Sequence, residues 1–173
     1  MEFRKTIQLT PDDFFSYNLY AMKRMIIQMV IVIAVLVPAL VYLENDTSAN
    51  IGMTMVIALA VALPAAGLFA LLMVVLLRRS VRKQFEKNGM LRVPNEYVLD
   101  ASGVHVTSEF GNSNIPWQNI YRAAESEHGY YIYLARMQAF VLPKRSLSPE
   151  EQAALRTALS QYAEPRKLRL RRR

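Results

Sequence analysis

The sequence predicts an α+β membrane protein, in which a hairpin of two transmembrane helices precedes a small antiparallel β domain closed by a carboxy-terminal helix. Two long uncharged apolar blocks and a later series of short apolar runs between turn residues are the observations that predict it. The composition agrees, because 53% of the 173 residues are hydrophobic and the net charge is +7. The absence of cysteine excludes disulfides and thiolate metal sites.

The two apolar blocks are long enough to cross a bilayer. Residues 25–43 form a stretch of roughly 28 Å as a helix, and residues 51–77 form one of roughly 40 Å, which must tilt or project. A chain of this size has too little remaining sequence to bury both blocks in a soluble core. A cleavable signal peptide is also disfavoured, because about twenty residues with strand and helix patterns precede the first block.

The charges beside the two blocks predict the orientation. Only residues 44–50 separate the blocks, and this loop contains Glu44 and Asp46 but no basic residue. Basic residues lie on the other side of both blocks: Lys23, Arg24, Arg78, Arg79, Arg82, Lys83 and Lys87. The excess of basic residues on one side predicts that both termini are cytoplasmic.

The apolar blocks themselves contain no charged residue. Proton and ion pathways usually need such groups, so a pump or coupled transporter is disfavoured. A small channel or transporter subunit made of oligomerised hairpins remains the alternative, with Gln28 and Thr54 as polar candidates. A ladder of small residues predicts close helix–helix packing, within the hairpin or in a homo-oligomer: Ala58, Ala62, Ala66 and Ala70.

The amino-terminal segment alternates apolar and polar residues from Phe3 to Leu9, which predicts a short strand. Its apolar row has no partner within residues 1–24, so we expect it to pair with the β domain. Thr10 and Pro11 are typical of a helix start. The aromatic helix that follows is predicted to run into the first transmembrane helix.

The region after Lys87 has the pattern of a β domain. Apolar runs cover residues 97–99, 104–110, 120–124, 130–135 and 139–142, and Gly111 to Asn114 is interpreted as a turn. Ser148 and Glu151 predict a capping box at the start of the last helix. A curved sheet closed by such a helix is the plan of pleckstrin-homology-like (PH-like) modules, an analogy of fold alone.

Two segments of this domain are distinctive: Ile115-Pro116-Trp117 with Ile120, and Val141-Leu142-Pro143-Lys144-Arg145. They are the most specific parts of a resemblance to the carboxy-terminal domain of the YcxB-like family of bacterial membrane proteins. The order of parts is also similar: a Thr-x-Asp-Asp-Phe stretch, two transmembrane helices, then this domain. The resemblance implies a bacterial inner-membrane location and assigns no activity.

Two basic runs are candidates for binding anionic lipid headgroups. They comprise Arg78, Arg79, Arg82 and Lys83 beside the second helix and Arg166, Lys167, Arg169, Arg171, Arg172 and Arg173 in the tail. A purely topological role for the first run and a disordered tail are the alternatives. A third candidate, an interaction surface, consists of Trp117, Lys144 and Arg145; here the alternatives are a core aromatic and solvated charges.

No residue pattern indicates catalysis. The chain has two histidines without a carboxylate at ligand spacing, and neither a nucleophile motif nor a phosphate-binding loop occurs. The basic excess lies outside the globular part, which disfavours a nucleic-acid-binding protein. We therefore expect a non-catalytic two-pass inner-membrane protein without a cofactor, whose PH-like cytoplasmic domain binds lipid headgroups or a protein.

The predicted organisation has seven segments: an amino-terminal strand and helix (1–24), transmembrane helix 1 (25–43), an external loop (44–50), transmembrane helix 2 (51–77), a basic linker (78–94), the β domain (95–163) and a basic tail (164–173).

Overall fold

A computed structural model describes residues 2–44 and 50–171. The chain forms two compact units: one combines the segment up to Asn18 with the chain from Val81 onward, and the other is Leu19–Ser80. The first unit holds the β-strands and the last helix, and the second holds most of two long helices. The predicted α+β class is confirmed.

The two long helices are α1, Pro11–Glu44, and α2, Ile51–Lys87. Both are long and apolar enough to cross a membrane, with only 6% and 11% of their most apolar windows buried. Large apolar side chains are exposed along both, for example Val35 and Leu68. Such a surface is stable only when an apolar medium covers it.

Helix α1 begins at Pro11 and continues through the apolar block without a break, as the sequence predicted. Helix α2 extends further than the predicted transmembrane segment, since it continues through the basic segment that was interpreted as a linker and ends at Lys87. The reason is that no helix breaker occurs between Leu77 and Asn88, and Arg82 pairs with Glu86 one turn along the helix at 3.5 Å.

The first unit contains two four-stranded sheets. In one, the order is β1-β2-β3-β4; in the other, β7-β6-β5-β8. The strands are β1, Phe3–Ile7; β2, Asn95–Leu99; β3, Gly103–Ser108; β4, Gly111–Pro116; β5, Arg122–Glu125; β6, Gly129–Ala135; β7, Gln138–Pro143; and β8, Leu168–Arg169. All neighbours are antiparallel except β5 and β8.

The predicted pairing of the amino-terminal strand is confirmed. Strand β1 pairs with β2, with Phe3 opposite Leu99 and Ile7 opposite Asn95. Phe3, Ile7 and Leu9 are all buried. The strand therefore pairs with a segment that lies more than eighty residues later in the chain.

Strand β4 corrects the interpretation of Gly111 to Asn114 as a turn. The strand pairs with β3 along its whole length, but its side chains from Gly111 to Asn114 are exposed and polar. It therefore lacks the apolar alternation that identifies a strand. The turn is only the tight connection before it, where Gly111 has a positive φ of 135°.

Helix α3, Pro149–Tyr162, begins with the predicted capping box. The Ser148 hydroxyl accepts from the Glu151 backbone N–H at 3.2 Å, and the Glu151 carboxylate accepts from the Ser148 backbone N–H at 2.8 Å. Leu155, Ala158 and Leu159 are buried on its inner face. The helix thus contributes one apolar stripe to the core.

Candidate functional site

A buried carboxylate lies at the centre of the charged network of the β-containing unit. Glu125, at the end of β5, has a side chain that is only 5% exposed. Lys144 Nζ lies 2.7 Å from its Oε1, and Arg156 Nη2 lies 2.6 Å from its Oε2. A buried carboxylate is stable only when it is paired in this way.

The electrostatics of the cluster favour the ionised acid. Burial acts to raise the pKa of Glu125, but hydrogen bonds and charge attraction from Lys144 and Arg156 outweigh it, so the pKa lies below its usual value. The Lys144 ammonium also lies 5.3 Å from the centre of the Tyr130 ring. At neutral pH the carboxylate is therefore ionised and hydrogen-bonded to both cationic side chains.

The carboxy-terminal tail is attached to this cluster. The Arg171 backbone N–H donates to Glu125 Oε2 at 3.3 Å, and Arg156 donates to the Arg171 carbonyl. Lys167 Nζ donates to the Gln118 carbonyl at 3.0 Å and pairs with Glu164 at 2.8 Å. The tail as far as Arg171 is thus part of the folded unit and not the disordered segment that was one of the sequence-based alternatives.

The contacts with Glu125 and β5 give the carboxy-terminal tail two different faces. Leu168 and Leu170 are half-buried, whereas the side chains of Arg166, Arg169 and Arg171 are exposed. From Leu168 onward the alternation is that of a strand, and the pairing of Leu168 with Ala123 and of Arg169 with Ala124 explains it. Arg166 precedes the strand in a short 3₁₀ turn and lies 3.4 Å from Glu164. We call these three arginines the basic edge. The predicted headgroup-binding residues Arg172 and Arg173 lie outside the described residues.

The basic residues of α2 are also exposed. Arg78, Arg79, Arg82 and Lys83 project from the last turns of the helix. These side chains occupy a helical surface, where residues three and four apart are neighbours. The positions suit contact with an anionic surface, and Arg82 in addition pairs with Glu86.

Two of the residues predicted to form an interaction surface have structural partners. Lys144 is held by Glu125, and Arg145 Nε donates to Asp13 Oδ1 at 2.9 Å. Arg145 keeps a half-exposed side chain, while Lys144 is mostly buried. Their first role in the structure is to connect the end of β7 to β5 and to the start of α1.

Trp117 lies in the core and not on an exposed surface. It is 7% exposed, its indole N–H donates to the Asp100 carbonyl at 2.8 Å, and it stacks on Tyr162 with ring centres 5.8 Å apart. The short 3₁₀ turn Trp117–Asn119 after Pro116 directs the ring inward. This burial corrects the interpretation of Trp117 as an exposed anchor.

The small-residue ladder of α2 occupies a covered face. Ala58, Ala62 and Ala66 are buried, and Ala70 is half-buried, although most neighbouring residues of α2 are exposed. The ladder itself is therefore screened, as its spacing predicts. A homo-oligomer remains a prediction.

One hydrogen-bonded group has the distances of a catalytic triad. The Ser102 hydroxyl lies 2.8 Å from His105 Nε2, and Asn114 Oδ1 lies 2.9 Å from His105 Nδ1. However, Ser102 donates to the Asp100 carboxylate at 2.6 Å, and that carboxylate also lies 3.2 Å from Nε2. Both ring nitrogens therefore face oxygen acceptors.

The groups around His105 favour the protonated form of its imidazole over the neutral form that could act as a base. The hydrogen bond to Asn114 raises the pKa of His105 most, burial opposes it, and Asp100 raises it further, so the pKa lies above its usual value. The Ser102 hydroxyl, moreover, donates to the Asp100 carboxylate and not to the ring. The group therefore fits a stabilised turn between β2 and β3.

Within residues 2–44 and 50–171, no group of three or more possible metal ligands occurs.

Residues 99–159, from the end of β2 to the last turn of α3, match the family described as YcxB-like protein. Over these residues the chain is similar to that family, and we refer to them as the YcxB-like domain. The chain matches no curated protein and no solved structure. The YcxB-like domain includes Glu125, Lys144 and Arg156, whereas the basic edge lies beyond the matched residues.

The Glu125 cluster was missed by the sequence analysis. Its side chains lie 19 and 31 residues apart along the chain, so no local spacing joins them. Only the apolar surroundings of Glu125 in β5 were a usable signal, because an acid between two alanines and a serine in a strand needs a cationic partner.

Proposed function

We propose that the protein is a non-catalytic two-pass protein of the bacterial inner membrane, whose cytoplasmic YcxB-like domain binds anionic lipid headgroups or a protein partner. The basic edge is the observation that carries this proposal. Its backbone is fixed by β5 and by Glu125, while its arginine side chains are exposed. A surface that is ordered before binding loses less conformational entropy when it binds.

The strand pairing supports the topology in this proposal. Strand β1 precedes both long helices, and its partner β2 follows them. Two segments can pair only on the same side of a membrane, so the number of crossings between them must be even. The uneven distribution of basic residues supports the cytoplasm as that side.

The topology predicts the behaviour of reporter fusions. A reporter that is active only outside the cytoplasm should be active when it is fused after Asp46, and silent when it is fused after Tyr162. A cytoplasmic reporter at the same two positions serves as the control and should give the opposite result. Activity of the first reporter after Tyr162 would overturn the cytoplasmic assignment.

Headgroup binding by the basic edge predicts a response to salt. The chain has no cysteine, so Gln161, an exposed residue of α3, can be replaced by cysteine and labelled with an environment-sensitive dye. In nanodiscs with phosphatidylglycerol, we expect a dye signal that disappears toward about 0.5 M salt, where the Debye length is roughly 4 Å. Phosphatidylcholine nanodiscs should give no such signal.

Matched variants separate the basic edge from total charge. Replacing Arg166, Arg169 and Arg171 by glutamine should abolish the signal, because each basic residue near an anionic leaflet contributes about 1 kcal/mol. Replacing the exposed Lys87, Arg92 and Arg136 by glutamine removes the same charge and should leave most of it. Equal losses in the two variants would reject the basic edge as the binding surface.

A further inference from the structure

A groove lies along one face of α1 where its apolar part begins. Its volume is about 420 Å³, and its lining residues are Tyr20, Lys23, Arg24, Ile27 and Gln28. Relative to Tyr20, the others follow at three, four, seven and eight positions, which places all five on one helical face. The groove is therefore a continuous strip of α1 and belongs entirely to the unit Leu19–Ser80.

The chemistry of the strip changes along the helix axis. Lys23 and Arg24 lie just before the apolar block, and Gln28 lies one turn further in, roughly 6 Å along the axis. Ile27 lies beside Gln28 and is 47% exposed. Along the strip, two cations are followed by an amide and by an apolar surface. This matches the order of the parts of a phospholipid: phosphate, ester carbonyls and acyl chain.

In the part of the chain that the structure describes, no ion pair neutralises the charges of Lys23 and Arg24. The sequence has no acid between Asp13 and Glu44. Other basic residues of the protein differ: Lys5 pairs with Glu151 at 2.7 Å, and Lys144 and Arg156 pair with Glu125. The positive charge of the groove is therefore uncompensated within this face.

We propose that this groove binds one anionic phospholipid, with Lys23 and Arg24 on its phosphate and headgroup, Gln28 on its ester carbonyls and Ile27 along an acyl chain. Tyr20 lies one turn outside the cations, at the level where tyrosine side chains contact headgroups. The inference rests on the membrane placement proposed above, but it does not depend on the basic edge, which is a different surface.

The test is retention of lipid by the full chain. The protein is extracted from nanodiscs of mixed phosphatidylglycerol and phosphatidylcholine, and the bound lipids are counted by native mass spectrometry. We expect one retained phosphatidylglycerol. Replacing Lys23 and Arg24 by glutamine should weaken its apparent affinity roughly thirtyfold, since each basic residue near an anionic leaflet contributes about a factor of five.

Two further variants keep the result specific. The double variant Lys23→Arg, Arg24→Lys preserves the charge of the groove and should retain the lipid. The double variant Lys87→Gln, Arg136→Gln removes two exposed charges outside the groove and should also retain it. The helical signal in circular dichroism verifies that α1 is intact in each variant, and fluorescence of Trp117 verifies the fold of the other unit. Equal retention in the Lys23→Gln, Arg24→Gln variant and in wild type would overturn the proposal.

The choice of probe separates a lipid from a free anion. Glycerol 3-phosphate carries the same phosphate without acyl chains and should not displace phosphatidylglycerol at millimolar concentration. Displacement would reject a lipid site in favour of a small-anion site, and equal retention of phosphatidylcholine would reject selection by charge. The topology is tested separately by reporter fusions, and a result that places residues 1–24 outside the cytoplasm would refute it. Counting of bound lipids tests only the groove.

Discussion

Replacing Glu125 by glutamine is expected to destabilise the YcxB-like domain by about 2 to 3 kcal/mol. The substitution keeps the shape of the side chain but leaves Lys144 and Arg156 without their anion. Breaking a fully buried ion pair costs about 3 to 5 kcal/mol. The two cations are 21% and 23% exposed, so the expected cost lies below that range. Chemical denaturation followed by Trp117 fluorescence measures the change.

The control for this variant is Glu127→Gln, two residues further along the chain. Glu127 is exposed, so its replacement should change the free energy of unfolding by less than about 0.5 kcal/mol. Equal effects of the two substitutions would show that the Glu125 cluster contributes no more than a surface charge.

The same pair of proteins has a defined dependence on pH. Because the pKa of Glu125 is lowered by folding, its stabilising contribution is present above the unfolded-state pKa of about 4.5 and is lost as the pH falls through the folded-state value. The difference in free energy of unfolding between wild type and Glu125→Gln should therefore be constant near neutrality and decrease below about pH 4.5. A difference that stays constant down to pH 3 would contradict the ionised state of Glu125.

Replacing Ile7 by alanine is expected to cost about 3 kcal/mol, within the usual range of about 2 to 5 for a buried isoleucine. Ile7 is 1% exposed and lies in β1, which is covalently distant from the strand it pairs with. The measurement is again the Trp117 unfolding transition. That tryptophan belongs to the same unit as β1, so its signal responds to the loss of the core contact.

Thr6→Ala provides the matched control on the same strand. Thr6 is exposed and points to the opposite face, so its loss should cost less than about 1 kcal/mol. If both substitutions have the same small effect, β1 contributes little to the stability of the domain and its pairing is peripheral.

The sequence predicted the parts of the fold that depend on local patterns. The alternation from Phe3 to Leu9 identified a strand without a local partner, and Ser148 with Glu151 identified the start of α3. Strand β4 escaped because its exposed polar side chains carry no periodic signal, and only its backbone pairs with β3. The start of α1 at Pro11 was predicted, but residues 78–87 were interpreted as a linker and in fact continue α2, because charged residues are good helix formers.

The candidate site was less accessible to sequence reasoning. Runs of basic residues are visible in the sequence. Whether such a run is exposed or packed against the domain depends on contacts with segments that are distant in the chain. Arg171 contributes its backbone, not its charge, to Glu125. Trp117 was misplaced for a related reason, since a single aromatic after a proline has the same pattern in a core as on a surface.

The pairing of Phe3 with Leu99 also sets an order in time. Strand β1 is synthesised first, but its partner follows only after both apolar helices have been made. At roughly 5–20 residues per second, the ribosome needs about 5 to 20 s to reach Leu99. During that interval the apolar side chains of β1 have no sheet to join, while the helical hairpin can already enter the bilayer. Insertion can therefore begin before the sheet that contains β1 is complete, and a chain that stops before β2 leaves β1 without its partner strand.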